Sequence, residues 1–129
     1  MLVWLEKHLT SAKQTYSYLS VEFTITPGKN DAFKSLARQL IDGTSKEPGA
    51  LGYQWYFNSD ENKYHLVELY KDSGAILAHL NNVGPVLQKL LDTSKVTRFE
   101  VFGNVNAEVE KTLASFGTKF FKYWDGFLR

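Results

Sequence analysis

There is no cysteine in the 129 residues. Disulfides, thiolate metal sites, iron–sulfur clusters and cysteine nucleophiles are excluded together, while the absence is compatible with any compartment. Histidine is scarce. His8, His65 and His79 show no metal-ligand spacing, so no metal site is expected. Long apolar runs are missing too: no window approaches the roughly 18 apolar residues of a membrane span. The N-terminal stretch MLVWLEKHLTSAKQ is interrupted by Glu6 and Lys7, too early for the apolar region of a signal sequence. No membrane partner is expected, and a cytoplasmic location is the default. An excess of one charge is also lacking. The formal net charge is +1 with both signs interspersed, so there is no basic stripe for nucleic acid. The chain has no G-x-S-x-G elbow, no phosphate loop and no dinucleotide fingerprint. Gly28, Gly43, Gly49 and Gly52 read as turn and strand-end glycines.

What is present is an apolar fraction of 43%, with nine Phe, seven Tyr and three Trp. That is enough to bury one core without staples, and the length fits one domain. Residues 1–17 read as an arm or short helix, with Leu2, Leu5 and Leu9 at helical spacing beside Trp4. Residues 18–129 read as a single domain, with a core over 18–103 and a C-terminal extension over 104–129.

Tyr18 to Thr26 alternates, Leu19, Val21, Phe23 and Ile25 pointing one way and Ser20, Glu22, Thr24 and Thr26 the other. This is strand periodicity, ended by Pro27-Gly28. Asn30 or Asp31 can cap the helix that follows, whose stripe is Phe33, Leu36, Ala37, Leu40 and Ile41. Leu51–Asn58 and Lys63–Tyr70 read as a hairpin around the loop Ser59-Asp60-Glu61-Asn62. A four-residue loop places Phe57 opposite Tyr64, Trp55 opposite Leu66, Tyr53 opposite Glu68 and Leu51 opposite Tyr70. A loop one residue longer or shorter would turn one whole set to the other face. Asp72 or Ser73 caps a second helix carrying Ile76, Leu80, Val83, Leu87 and Leu90, with a kink or break expected at Gly84-Pro85. Val96–Phe102 is a fourth strand. Asn106 caps a third helix that Gly117 ends. The aromatic tail Phe120, Phe121, Tyr123, Trp124, Phe127 and Leu128 has to pack on the domain or on a partner chain.

The order strand–helix–strand–strand–helix–strand is the split βαβ, ferredoxin-like α+β plan with a C-terminal helical extension. Within it, Glu68 is a carboxylate predicted among buried aromatics, where it must be protonated or partnered. His79, on the shoulder of the buried helix stripe, is its natural partner. His65 falls on the opposite face by strand parity. A Glu–His pair beside tyrosines can take a proton from a phenol or enol. Equally, the two can simply satisfy each other within a core.

The run Glu68-Leu69-Tyr70, then Asp72-Ser73, Ala75 and Ala78-His79-Leu80, following an aromatic hairpin, resembles the antibiotic-biosynthesis-monooxygenase-type family of the dimeric α+β barrel group. The resemblance spans residues 18–103, and the tail from Ala107, with Phe116-Gly117 and Gly126-Phe127, is similar to an extension carried by one subgroup. It implies a homodimer whose two sheets form a barrel, with a ligand cavity between each sheet and its helices. It also implies a cofactor-free monooxygenase-like activity, with no cofactor, on a small hydrophobic, aromatic or quinol-type molecule. In that reading the candidate catalytic residues are His79, Glu68 and Tyr70, and the substrate-binding candidates are Tyr53, Trp55, Phe57, Val21 and Phe23. The alternative is a non-catalytic dimeric binding or sensing domain of the same fold. Haem binding or degradation is disfavoured, because Val21 stands where such relatives carry an asparagine and Tyr70 where they often carry tryptophan.

Overall fold

The structure, a computed structural model, describes residues 15–129. Most of the expected N-terminal arm, with His8, lies outside them. The elements are β1 (Ser17–Ile25), α1 (Asn30–Ser45), β2 (Ala50–Asn58), β3 (Lys63–Tyr70), α2 (Ser73–Leu91), β4 (Ser94–Phe102), α3 (Ala107–Leu113) with a 3-10 turn (Ala114–Phe116), and β5 (Lys119–Phe121). The sheet order is β2-β3-β1-β4-β5. The first four strands pair antiparallel, which is the ferredoxin-like plan read from the element order.

Alternation decides the two faces. Leu19, Val21, Phe23 and Ile25 of β1 are all buried, against Phe33, Ala37 and Leu40 of α1, Ile76, Val83 and Leu90 of α2, and Val109 and Leu113 of α3. The other face of the sheet carries Ser20, Glu22, His65 and Glu100 and is covered by none of the described helices. There Ser20 Oγ lies 2.7 Å from His65 Nε2, and Glu22 accepts from Thr97 at 2.8 Å.

The hairpin register follows the four-residue loop from Asn58↔Lys63 through Tyr53↔Glu68. It then departs from the expected pairing. Ala50, not Leu51, pairs with Tyr70, because the register shifts between Ala50 and Gly52. Leu51 is the extra residue and is 48% exposed instead of facing the core. Such bulges gather at sheet edges, and β2 is an edge strand.

The helices depart from expectation at the cap of α1, at Ile41, and at Pro85, where the break does not occur. The N-cap of α1 is Lys29, with no side-chain cap. Asn30 instead uses its amide to hold Asn62 Oδ1 at 2.7 Å, and Asn62 takes a left-handed φ of 52°. Ile41 ends up 42% exposed, and Thr44 is the buried residue of that last turn. Helix α2, capped by Asp72 accepting from the Ala75 amide at 2.8 Å, runs unbroken through Pro85. Proline at 85 releases the carbonyl of Asn81, and both residues are exposed, so water replaces the lost bond.

Beyond β4 the chain makes α3, capped by Asn106. Gly117 then turns it with a φ of 70° into β5, parallel to β4. This fifth strand has no signature in the sequence beyond its aromatics. Phe121 stacks on Phe102 at 5.3 Å, but Trp124 is 93% and Phe127 80% exposed. Of the two packing partners expected for the tail, the described part of the domain leaves these two rings largely uncovered, with Arg129 alone set over Phe127 at 4.8 Å among the described ring contacts.

Candidate active site

Three segments meet at the mouth of the sheet–helix layer. Strand β3 turns Leu66, Glu68 and Tyr70 inward by parity, and all three are buried. Strand β2, in register beside it, supplies Tyr53 and Trp55. Helix α2 brings His79 down on the same face as Ile76 and Val83, three residues after the one and four before the other, which is helical spacing. Between layers lies a cavity of about 50 Å³. Val21, Phe23, Tyr53, Trp55, Glu68 and His79 are among its lining residues. The C-terminal extension contributes Leu113 and Phe116.

Two candidates are placed elsewhere. Tyr70 is fully buried behind Glu68 and donates its hydroxyl to Glu68 Oε1 at 2.6 Å. Phe57 does not line the cavity. It is 70% exposed and stacks on Tyr64 at 5.8 Å. It lies on the helix-facing side by parity, but at the loop end of β2, beyond the cover of α1. Phe33 of α1 packs on Phe23, Trp55 and Tyr64.

The pairing of Glu68 with His79 is present, at 3.5 Å from Oε1 to Nε2, the outer limit of a hydrogen bond. The closer partner of His79 was not foreseen. Its Nδ1 lies 3.0 and 3.1 Å from the two carboxylate oxygens of Glu47. Glu47 sits in the connection after α1, where its amide binds the Thr44 carbonyl and its own carbonyl takes the Ala50 amide. Asn82, one turn beyond His79, donates to Glu47 Oε2 at 2.9 Å. In the sequence Glu47 belongs to the aperiodic run Lys46-Glu47-Pro48-Gly49, so only its proximity to a helix end marked it.

Burial governs the protonation states. It pushes the Glu68 carboxyl up to about 7, with the negative Glu47 adding to the rise and the Tyr70 hydroxyl opposing it. Burial also pushes the His79 imidazole below its ordinary value, against the pull of Glu47. Tyr53 and Tyr70 are both raised, first by burial and then by the charge of Glu68. At neutral pH the site therefore holds a neutral imidazole, two phenols that keep their protons, and a carboxyl poised between its two forms. Among the described residues, no three His, Asp or Glu side chains group to hold a metal, and no helix is long and apolar enough to cross a membrane.

The family model described as antibiotic biosynthesis monooxygenase matches residues 17–84, more than half of the chain. No curated protein matches the sequence. Among solved structures, MupZ from Pseudomonas fluorescens is 29% identical, with a TM-score of 0.79 over 88% of this chain and 94% of that one. SnoaB, a cofactor-independent oxygenase from Streptomyces nogalater, is 18% identical, with a TM-score of 0.61 over 72% of this chain and 96% of that one. A conserved protein from Methanosarcina mazei is 20% identical, with the same TM-score over 71% and 93%. At such identities the last two show the shared fold alone.

Proposed function

The chain belongs to the antibiotic biosynthesis monooxygenase family, and from that premise we propose that it is a cofactor-independent monooxygenase for a small aromatic or quinol-type substrate. The observation that carries the reading is His79, uncharged at the edge of an apolar cavity, with its Nε2 turned toward Glu68. A neutral imidazole in a dry box is a competent base for a phenol or enol. The resulting anion is electron-rich enough to pass an electron to dioxygen. Recombination at carbon forms a peroxide anion, which takes the proton back from the His79 imidazolium to become a hydroperoxide, and loss of water leaves a carbonyl. One oxygen atom enters the product, the other leaves as water, and the substrate supplies all the electrons. Tyr53 would donate a hydrogen bond to the substrate oxygen, Trp55 and Phe23 would hold the ring, and Tyr70 would orient Glu68. SnoaB, described as a cofactor-independent oxygenase, lends the reading support from a relative in fold.

A cavity of about 50 Å³ has room for one or two waters and is smaller than the roughly 150 Å³ that holds benzene. Substrate entry would therefore require Phe116 and Leu113, which line it from the C-terminal extension, to move. The same small volume favours a second reading, a non-catalytic binding domain in which Glu47, His79 and Glu68 satisfy one another.

The assembly belongs to the proposal as well. The uncovered sheet face presents Tyr18, Tyr56, Val67 and Phe102 partly exposed, and the tail adds Phe121, Trp124 and Phe127. A second copy, sheet against sheet, would cover them.

The activity is tested with an oxygen electrode on a panel of reduced quinols and hydroxynaphthalenes, without added flavin, metal or haem. Oxygen uptake that falls by about 100-fold or more in His79→Ala is expected. No uptake above buffer across the panel, or a His79→Ala protein as active as the wild type, sinks the enzymatic reading.

A further inference from the structure

We infer that Glu47 is a positioning residue: it holds His79 in the tautomer with the proton on Nδ1, leaving Nε2 as the free acceptor that faces Glu68 and the cavity. The inference rests on His79 acting as the base, and it adds the residue that makes it one.

The argument is geometric. An ionised carboxylate can only accept hydrogen bonds. Both oxygens of Glu47 lie within 3.1 Å of His79 Nδ1, so Nδ1 must be the protonated nitrogen. The carboxylate is itself held from both sides of the sequence. The backbone of residue 47 is tied into the turn after α1, and Asn82 Nδ2 grips Oε2 while also donating to the Gly43 carbonyl at 3.2 Å. With two acceptors on that nitrogen, the orientation of the Asn82 amide is unambiguous. His79 and Asn82 stand three apart on α2, so one helix face carries both the base and the clamp on its partner. The groups facing His79 from other elements are Glu47, Glu68, Tyr53 and Tyr70, and of these Glu47 alone reaches Nδ1.

The Asn82 clamp also sets what a glutamine would do. Asn82 presents a donor to residue 47 and needs an acceptor there. In Glu47→Gln the side-chain oxygen would therefore stay with Asn82, and the amide N–H₂ would turn to His79. The N–H₂ would then stand at the Oε1 position, 3.0 Å from Nδ1, while the oxygen at the Oε2 position, 3.1 Å away, is already engaged by Asn82. With the carboxylate charge gone and a donor at the nearer position, the balance shifts to an accepting Nδ1, and the ring proton moves to Nε2. The nitrogen aimed at the cavity could then no longer accept a proton. A comparable tautomer reversal in a hydrolytic triad costs orders of magnitude in rate.

The test is ¹⁵N NMR of histidine-labelled protein, wild type against Glu47→Gln, at a pH where His79 is neutral. The wild type is expected to show the Nδ1–H tautomer at His79 and the variant Nε2–H. The oxygenase rate should drop about 100-fold or more, and Glu47→Asp, which keeps the charge, should retain the wild-type tautomer. Asn82→Ala removes the clamp at an exposed position, and Glu47→Gln combined with it should lose its preference for Nε2–H. A wild type already in the Nε2–H form, or a Glu47→Gln protein still in the Nδ1–H form, overturns the inference. The NMR result stands independently of activity. If no substrate is oxidised by any form, the monooxygenase reading fails, while the tautomer still decides the role of Glu47. If the tautomer reverses and an active protein keeps its full rate, Glu47 does not position a base.

Discussion

Replacing Glu68 with glutamine isolates the cost of keeping an ionisable group in this core. A protonated carboxyl and an amide have nearly the same shape. The amide oxygen can take the place of Glu68 Oε1, which accepts from Tyr70 at 2.6 Å and stands 3.5 Å from His79 Nε2, and the amide carries no charge at any pH. The carboxyl rises from an ordinary value of 4.5 to about 7 on folding. A raised folded value means that the contribution of Glu68 to stability is fully present below pH 4.5 and is lost as pH climbs through about 7. At about 1.4 kcal/mol per pH unit the cost is about 1 kcal/mol at pH 5 and about 3 kcal/mol at pH 8. Glu68→Gln removes that cost. It should therefore gain about 2 kcal/mol over the wild type between pH 5 and pH 8, a sizeable part of a typical domain's stability. His79 has the opposite sign, since its value is lowered and its contribution is lost as pH falls. It is present in both proteins and largely cancels in the difference. Urea unfolding followed by tryptophan fluorescence at several pH values measures the quantity directly. A stability difference that stays constant across the range, or a glutamine protein less stable than wild type at pH 8, would refute the reasoning.

Two other substitutions probe packing and assembly. A Cβ on Gly49 would stand 2.5 Å from Ala75 Cβ, so Gly49→Ala must push apart the start of β2 and the first turn of α2. Thermal unfolding should show a loss of about 1–3 kcal/mol, and an unchanged midpoint would mean that this approach is looser than it stands. Trp124 is 93% exposed in the single chain, so Trp124→Ala should leave the stability of the chain alone. Sedimentation should show a dimer weakened about tenfold or more, as for a buried aromatic anchor. A dimer of unchanged affinity would show that this ring does not lie at the interface.

How much was legible in the sequence depended on whether the information was periodic. Leu19, Val21, Phe23 and Ile25 announced β1 and its buried face because alternation is a local property of the backbone. The inward parity of Glu68 followed from the same rule, and the four-residue loop carried that parity across to Tyr53 and Trp55. The rule failed where the backbone stepped out of its period. The bulge at Leu51 was invisible to it, and so was the exposure of Phe57, which has the right parity but lies past the end of the helical cover. Of the kink or break expected at Gly84-Pro85, the break does not occur, because the carbonyl that the proline releases belongs to the exposed Asn81, a circumstance no local pattern encodes.

By itself the sequence determined the order of elements from β1 to α3, the two faces of the sheet, and the presence of one carboxylate and one histidine on the buried side. Those are consequences of strand and helix periods, which short windows encode. Only the tertiary structure decided that His79 leans on Glu47, 32 residues away, more closely than on Glu68. It alone decided that the cavity shrinks to about 50 Å³, that the tail adds a fifth strand, and that Trp124 is left in the open. Each depends on the distance between segments remote in the chain, and that distance is set by packing rather than by any local pattern.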